Sequence, residues 1–329
     1  MPKKLFSPDK IAEQLSSGLR RDLEQPFPYG CAEGAFKYAR DHQLSAFTKK
    51  YLSESVDKSL ETTTYIKFLY VNEHMSQFNQ PIEPDYPRVS MMYGDRFSSV
   101  LHRAKALMHS VLTPFDEDEW FQECKNSSGS SIGVPFSDTS IERKFTFPIT
   151  ISQRAQPLFD RYLAFDKSLK SALDKFNESY PLSDRYQIEN SSRATTVAKT
   201  DKIQRMICVE PTGNMFLQQG LMTLLYQRMK AVGLDVESLP LRHKQLAFES
   251  SITSRNATID WSSASDCVSL ELLKWLLPPK WFHAAELVRS RTTLIQGVTI
   301  GLNMFSTMGN AVTFPLETLV FWTFSQAVL

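Results

Sequence analysis

The run Thr258-Ile-Asp-Trp-Ser-Ser-Ala-Ser-Asp266 sets two aspartates six residues apart, behind the apolar Ala257-Thr-Ile259 and ahead of a helical pattern. A short strand at 257–259 would carry Asp260 at its carboxyl end, and the small hydroxyl residues allow a tight turn into the helix. Such a unit needs strands and helices in one core, so the predicted fold class is α+β. Mg²⁺ takes hard oxygen ligands and tends to use one or two carboxylates plus substrate phosphates. A Ser or Asp ahead of Val268-Ser-Leu-Glu271 is equally an ordinary helix N-cap, and the run alone does not decide between the two.

The N-terminal half reads as helical. Ser7-Pro8-Asp9 has the form of an N-cap, a proline at the first helical position and an acidic first turn. Ile11, Leu15, Leu19 and Leu23 follow at four-residue steps up to Pro26. Helices are predicted over 51–75, 97–112 and 155–176, with prolines at 81, 84 and 87 marking a loop and Asn126 to Ser140 irregular. Then the texture changes. Ala194-Thr-Thr-Val197 and Arg205-Met-Ile-Cys-Val209 flank Lys199-Thr-Asp-Lys202, which predicts a hairpin. A helix is expected from Asn214 to Val232, another from Ser269 to Leu277 stopped by Pro278-Pro279, and a second strand-helix unit from near Met304.

The 329 residues are 42% hydrophobic, enough for a sizeable core, which excludes a disordered chain. Thirty-seven Lys+Arg balance 36 Asp+Glu, so any nucleic-acid-binding surface must be local. Cys31, Cys124, Cys208 and Cys267 are far apart, without CxxC or zinc spacing, and are expected as reduced, mostly buried thiols. His102, His109, His243 and His283 lack metal spacing. Ala311 to Leu329 is apolar, but Pro315, Glu317, Ser325 and Gln326 interrupt it, so a buried helix is expected and not a membrane span.

Two further groups of residues suit phosphoryl transfer. The hairpin carries Arg193, Lys199, Lys202 and Arg205, and cations there would offset charge building on a triphosphate. A solvated basic turn is the plainer reading of the same residues. In Ser306-Thr-Met-Gly-Asn-Ala-Val-Thr-Phe-Pro-Leu-Glu317, Gly309 leaves room for a nucleotide to approach the backbone. Thr313 and Glu317 follow it at four-residue steps, on one helix face.

These three segments, in this order, resemble motifs F, A and B of the RNA-directed RNA polymerases of levivirus-type RNA bacteriophages. The resemblance continues through Val209-Glu-Pro-Thr-Gly-Asn-Met-Phe-Leu-Gln-Gln219 and Leu276-Leu-Pro-Pro-Lys-Trp-Phe282. It is specific over about 190–329 and weaker around Lys67-Phe-Leu-Tyr-Val-Asn-Glu73 and Gly129 to Phe147. It implies a right-hand polymerase: a helical, fingers-associated region at 1–150, fingers with the basic hairpin at 151–245, and a partial palm at 246–329, the thumb absent. By that resemblance Asp260 holds metal and Asp266 senses the ribose 2′-hydroxyl. Arg193, Lys199, Lys202 and Arg205 hold the triphosphate, and Ser306, Gly309 and Asn310 contact the nucleotide. Two Mg²⁺ ions are the implied cofactors of the complete enzyme. Single-stranded RNA template and ribonucleoside triphosphates are its substrates, host elongation factors Tu and Ts and a small-subunit ribosomal protein its partners, and the cytoplasm of an infected bacterium its location. Many other RNA polymerases have asparagine where Glu317 stands, which leaves a ribose contact and a structural role both open.

The sequence also departs from that pattern. Motif C, usually Tyr-Gly-Asp-Asp, is expected beyond motif B, yet Tyr93-Gly-Asp95 lies far upstream and is followed by Arg96. It reads as a local turn with no catalytic role. Gly129-Ser-Ser-Ile-Gly133 lacks the ending of a P-loop and reads as a surface loop. The expectation is therefore a C-terminally truncated polymerase, inactive by itself, with Leu316, Leu319, Val320, Phe321 and Phe324 left unpacked. The alternative is a non-catalytic replicase fragment that binds RNA or host factors. An open frame beyond Leu329 encoding Gly-Asp-Asp would favour the enzyme, and a stop codon there the fragment.

Overall fold

The computed structural model of the chain describes residues 7–23, 33–48, 58–82, 94–178, 184–200, 203–259 and 261–329. Packing divides the chain into two compact units. One comprises Met1–Phe68 with Thr196–Met206, the other Leu69–Thr195 with Ile207–Leu329.

In the first unit, α1 (Pro8–Leu23) is amphipathic and packs on α2 (Glu33–Thr48). The first turn of α1 carries Asp9 and its last turn Arg20 and Arg21, complementing the helix dipole at both ends. Helix α3 (Lys58–Ser76) begins in this unit. The tip of the hairpin formed by β3 (Ser191–Ala198) and β4 (Gln204–Val209) also lies here, where the Lys199 and Thr200 amides both donate to the Ile203 carbonyl.

The second unit holds the main core. Helix α4 (Asp95–Leu112) buries Leu101, Ala104, Met108, Val111 and Leu112, spaced three, four or one apart as one helical face requires. After α5 (Glu117–Gln122), capped by the Asp116 carboxylate, come α6 (Ile141–Lys144) and β1 (Ile149–Ile151). The helix predicted over 155–176 is two, α7 (Gln156–Phe165) and α8 (Lys167–Asn177). Asp166 separates them because its side chain accepts the Leu169 amide and starts a new N-terminus. Strand β2 (Tyr186–Ile188) pairs parallel with β1, Ile149 opposite Tyr186.

Helix α9 (Thr212–Ala231) runs through this core and buries Phe216, Leu217, Leu221, Leu224, Leu225 and Met229, so it shows little amphipathic contrast. Trp120 donates its indole N–H to the Leu217 carbonyl at 2.9 Å, and Trp281 donates to Leu112, satisfying the polar edges of two buried rings. Helices α10 (Leu239–Thr253), α11 (Leu270–Leu276) and α12 (Pro279–Val288) follow. Pro278-Pro279 ends α11 as predicted and also opens α12, with Pro279 in its first turn. Strands β5 (Thr292–Ile295) and β6 (Val298–Gly301) complete a sheet of order β4-β3-β5-β6, with β3 and β5 parallel and β5 and β6 antiparallel.

Four expectations need correction here. Residues 254–259 form no strand: Ala257 to Ile259 are exposed coil, with no pairing partner among the described residues. Met304 makes one isolated bridge to Ser269 and does not begin a strand. Gly129–Gly133 is no surface loop, since Ser131 is buried with its hydroxyl 2.7 Å from that of Thr212. The final helix, α13 (Thr313–Val328), packs on α4 and buries Leu316, Leu319 and Val320, while its exposed apolar residues include Phe314, Phe321 and Val328. The expected buried helix is what forms there. Among the described residues no helix is long and apolar enough to cross a membrane. Of the described cysteines Cys208 is buried, Cys124 half-buried and Cys267 exposed, all three with free thiols. Cys31 lies outside the described residues.

Candidate active site

In the second unit, the end of the aspartate run, strand β4 and the glycine turn are bonded together. Ser263 adopts a left-handed conformation (φ 57°), which folds Ala264–Asp266 into a single 3₁₀ turn. Behind it, the Phe305 amide donates to the Val268 carbonyl at 2.8 Å, and the Ser269 hydroxyl caps α11 by accepting the Leu272 amide. The segment entering the glycine turn is thereby clamped to the segment leaving Asp266. The turn itself hangs on β4, where the Cys208 amide donates to the Met308 carbonyl at 2.8 Å.

Gly309 has φ 114°, and a Cβ there would overlap the Cys208 carbonyl oxygen. The glycine is thus required by the turn and by β4, whatever approaches its backbone from outside. Gly309 also precedes α13, so only Thr313 and Glu317 share the helix face expected for all three. The Thr313 hydroxyl donates back to the Thr307 carbonyl at 2.8 Å.

A buried polar network stands behind this turn, centred on a residue that the sequence reading passed over. Glu210 is 2% exposed; its carboxylate accepts the Ser290 hydroxyl at 2.6 Å and the Asn310 amide at 3.4 Å. Asn310 also accepts the Val312 amide with its side-chain oxygen, closing a local turn just before α13. Arg289, buried beside it, donates to the Phe305 carbonyl and lies over the Phe305 ring; burial lowers its pKa to about 10. Farther along, Glu286 is held between Arg154 and Arg291. A carboxylate directly after the apolar run Met206–Val209 and directly before Pro211 was the signal that could have found Glu210.

Burial holds the Glu210 carboxyl above the ordinary carboxylate range, although Ser290 and Asn310 donate to it. The folded chain therefore binds this proton more tightly than the unfolded chain. Its contribution to stability is full below the ordinary Glu value of about 4.3 and is lost as pH rises through the raised value. Glu210→Gln, uncharged at any pH, should flatten the fall in Tm with rising pH across that window. Parallel Tm–pH curves for parent and variant would remove Glu210 as the source.

Asp266 and Glu317 both face Cys267. Burial first, then these two carboxylates, raises the Cys267 thiol pKa, and Asp266 also contributes at Cys208. Burial raises the pKa of Glu317 itself. The Trp261 ring lies against that of Phe321 of α13 at a tilt of 55°, centroids 5.5 Å apart, which ties this part of the run to the same helix. Asp266 and Glu317 thus each act on Cys267, at the start of α13. The RNA replicase, beta-chain family matches the sequence over residues 29–329. This chain belongs to that family.

Curated members are similar over much of the chain. The RNA-directed RNA polymerase beta chain of Escherichia phage MS2 is 35% identical over 226 residues, 68% of this chain and 40% of the relative. That of Enterobacteria phage fr is 29% identical over 303 residues, 89% and 52%. The subunit beta of Escherichia virus Qbeta is 29% identical over 283 residues, 85% and 45%. The chain spans about half the length of these relatives.

Within this family member, Ser306 and Asn310 are buried, Gly309 is exposed, and Asp266 is half-buried in the second unit. Arg193 is exposed on β3 opposite Leu294 in the same unit, while Lys199 and Arg205 are exposed in the first. Asp260, Lys202 and Tyr93 lie outside the described residues. Gly94 with φ 77° opens α4, so the Gly-Asp step there starts a helix. Among the described residues no cluster of three or more His, Cys, Asp or Glu forms a metal site.

Proposed function

We propose that this chain carries the fingers, over 151–245, and part of the palm, over 246–329, of a right-hand RNA-directed RNA polymerase that copies single-stranded phage RNA. The bonding of the aspartate run, β4 and the glycine turn into one assembly supports this most, because residues distant in sequence are joined in the order a nucleotide site requires. Asp260 would hold Mg²⁺, with Asp266 reading the ribose 2′-hydroxyl. Two bound Mg²⁺ ions supply Lewis acidity for the attacking 3′-hydroxyl and neutralise the pyrophosphate. Arg193, Lys199, Lys202 and Arg205 offset charge on the triphosphate oxygens.

Ser306, Gly309 and Asn310 would act chiefly by shaping the turn that meets the nucleotide, with the exposed Gly309 backbone nearest to it. The substrates are RNA template and ribonucleoside triphosphates, and the expected setting is the host cytoplasm. Elongation factors Tu and Ts and a small-subunit ribosomal protein are proposed as partners on the same footing.

The test is primer extension in a polymerase of the relatives' full length, with Mg²⁺ and four ribonucleotides. Lys199→Ala or Arg205→Ala should raise the KM for nucleotides about tenfold, the loss of one charge-assisted contact. A fall in RNA affinity with unchanged nucleotide KM would reassign these cations to the template.

A further inference from the structure

The second unit contains a cavity of about 130 Å³ away from the residues placed in the proposed active site. Its lining includes Gly133, Arg143, Lys144, Thr146, Gln187 and Thr212. That volume is well above the roughly 10–15 Å³ one buried water needs. Gly133, with φ 86°, forms one wall, and a Cβ there would press on the Thr150 methyl group at 2.8 Å.

Lys144 on α6 is 3% exposed, and its ammonium donates to the carbonyl and hydroxyl of Ser127, both uncharged. Among the described residues neither Lys144 nor Arg143 enters an ion pair. Burial alone lowers the Lys144 pKa, with no carboxylate acting against it. Asp138 is the acid that senses Arg143, and its own lowered pKa comes first from the Ser140 hydrogen bond. A buried ammonium without a counter-charge is costly. The lining threonine hydroxyls and the Thr212 amide are bonded within the protein, so it is the two cations, with the first turn of the 20-residue α9, that make the recess electropositive.

We propose that this cavity is a phosphate-binding site, taking either a backbone phosphate of RNA or a phosphate of a free nucleotide. The anion supplies the counter-charge that Lys144 lacks, and Arg143 closes over it from the rim. This assignment stands independently of the polymerase reading, since it concerns binding by the chain alone.

Thermal unfolding of the 329-residue chain is measured in sodium phosphate and in sodium chloride at equal ionic strength, then with a ribonucleoside triphosphate. Phosphate should raise the Tm of the parent and not that of Arg143→Glu or Lys144→Met. Arg143 is exposed, so its variant keeps the fold if Lys144→Met does not. In parallel, anisotropy of a labelled single-stranded oligoribonucleotide is followed against salt. If RNA is the source, Arg143→Glu weakens binding about tenfold and lowers the log–log salt slope by about 1. If the nucleotide is the source, the triphosphate protects the parent while the RNA slope is unchanged. Equal protection by phosphate and chloride, or equal phosphate protection of parent and Arg143→Glu, would overturn the site.

Discussion

Asp260→Asn is expected to abolish ribonucleotide incorporation in a polymerase of full length, by at least about a thousandfold. Asparagine keeps the shape of the side chain but removes the charge that would hold a divalent ion. Metal charge stabilisation supplies several kcal/mol, and each 1.36 kcal/mol is a factor of ten in rate. RNA affinity should barely change, because a carboxylate contributes no phosphate contact. Incorporation near the parent rate would end the metal role proposed for Asp260. Asp266→Ala provides the contrasting readout. It should retain measurable synthesis while narrowing the preference for ribonucleotides over deoxyribonucleotides, since the 2′-hydroxyl is the group that separates them.

Gly309→Ala is expected to destabilise the chain itself by about 2–6 kcal/mol. Two costs combine: backbone strain at positive φ, about 1–3 kcal/mol, and overpacking against a fixed carbonyl, of similar size. The Cys208 carbonyl cannot withdraw cheaply, because the Cys208 amide is bonded to Met308 of the same turn. Gly129→Ala is the control, with no positive φ and nothing within 4 Å of an added Cβ, so it should stay within about 0.5 kcal/mol of the parent. Urea unfolding of both variants measures the difference directly. Equal midpoints would mean that the turn rearranges freely and that its bonds to β4 do not hold it.

The same turn shows where reasoning from sequence reached its limit. A glycine followed by asparagine ahead of a helix marks a turn, but its requirement comes from Cys208, about a hundred residues earlier in the chain. Asn310 looked like a ligand contact for the same reason: its acceptor, the Glu210 carboxylate, is equally remote.

Elements specified by their neighbours were legible in the residue order. The apolar face of α4 repeats every three or four residues, Ser269 caps the helix it precedes, and β-branched runs bracket the basic hairpin. Each depends on hydrogen bonds and side chains within one or two turns. The β5–β6 hairpin was not predicted, although Thr292-Thr-Leu-Ile-Gln-Gly-Val-Thr-Ile-Gly301 carries a local signal for it. Gln296 and Gly297, at φ 47° and 86°, make the two-residue turn that favours tight hairpins. Tertiary structure alone decided the rest. Ala257-Thr-Ile259 has strand-like residues but no neighbouring strand, and an unpaired strand gains nothing from its propensity. Residues 311–329 are apolar enough to invite a membrane reading, and it is packing on α4 and α9 that buries Leu316, Leu319 and Val320. Local sequence sets which backbone shapes are cheap, whereas pairing and burial depend on partners that only the folded chain brings within reach.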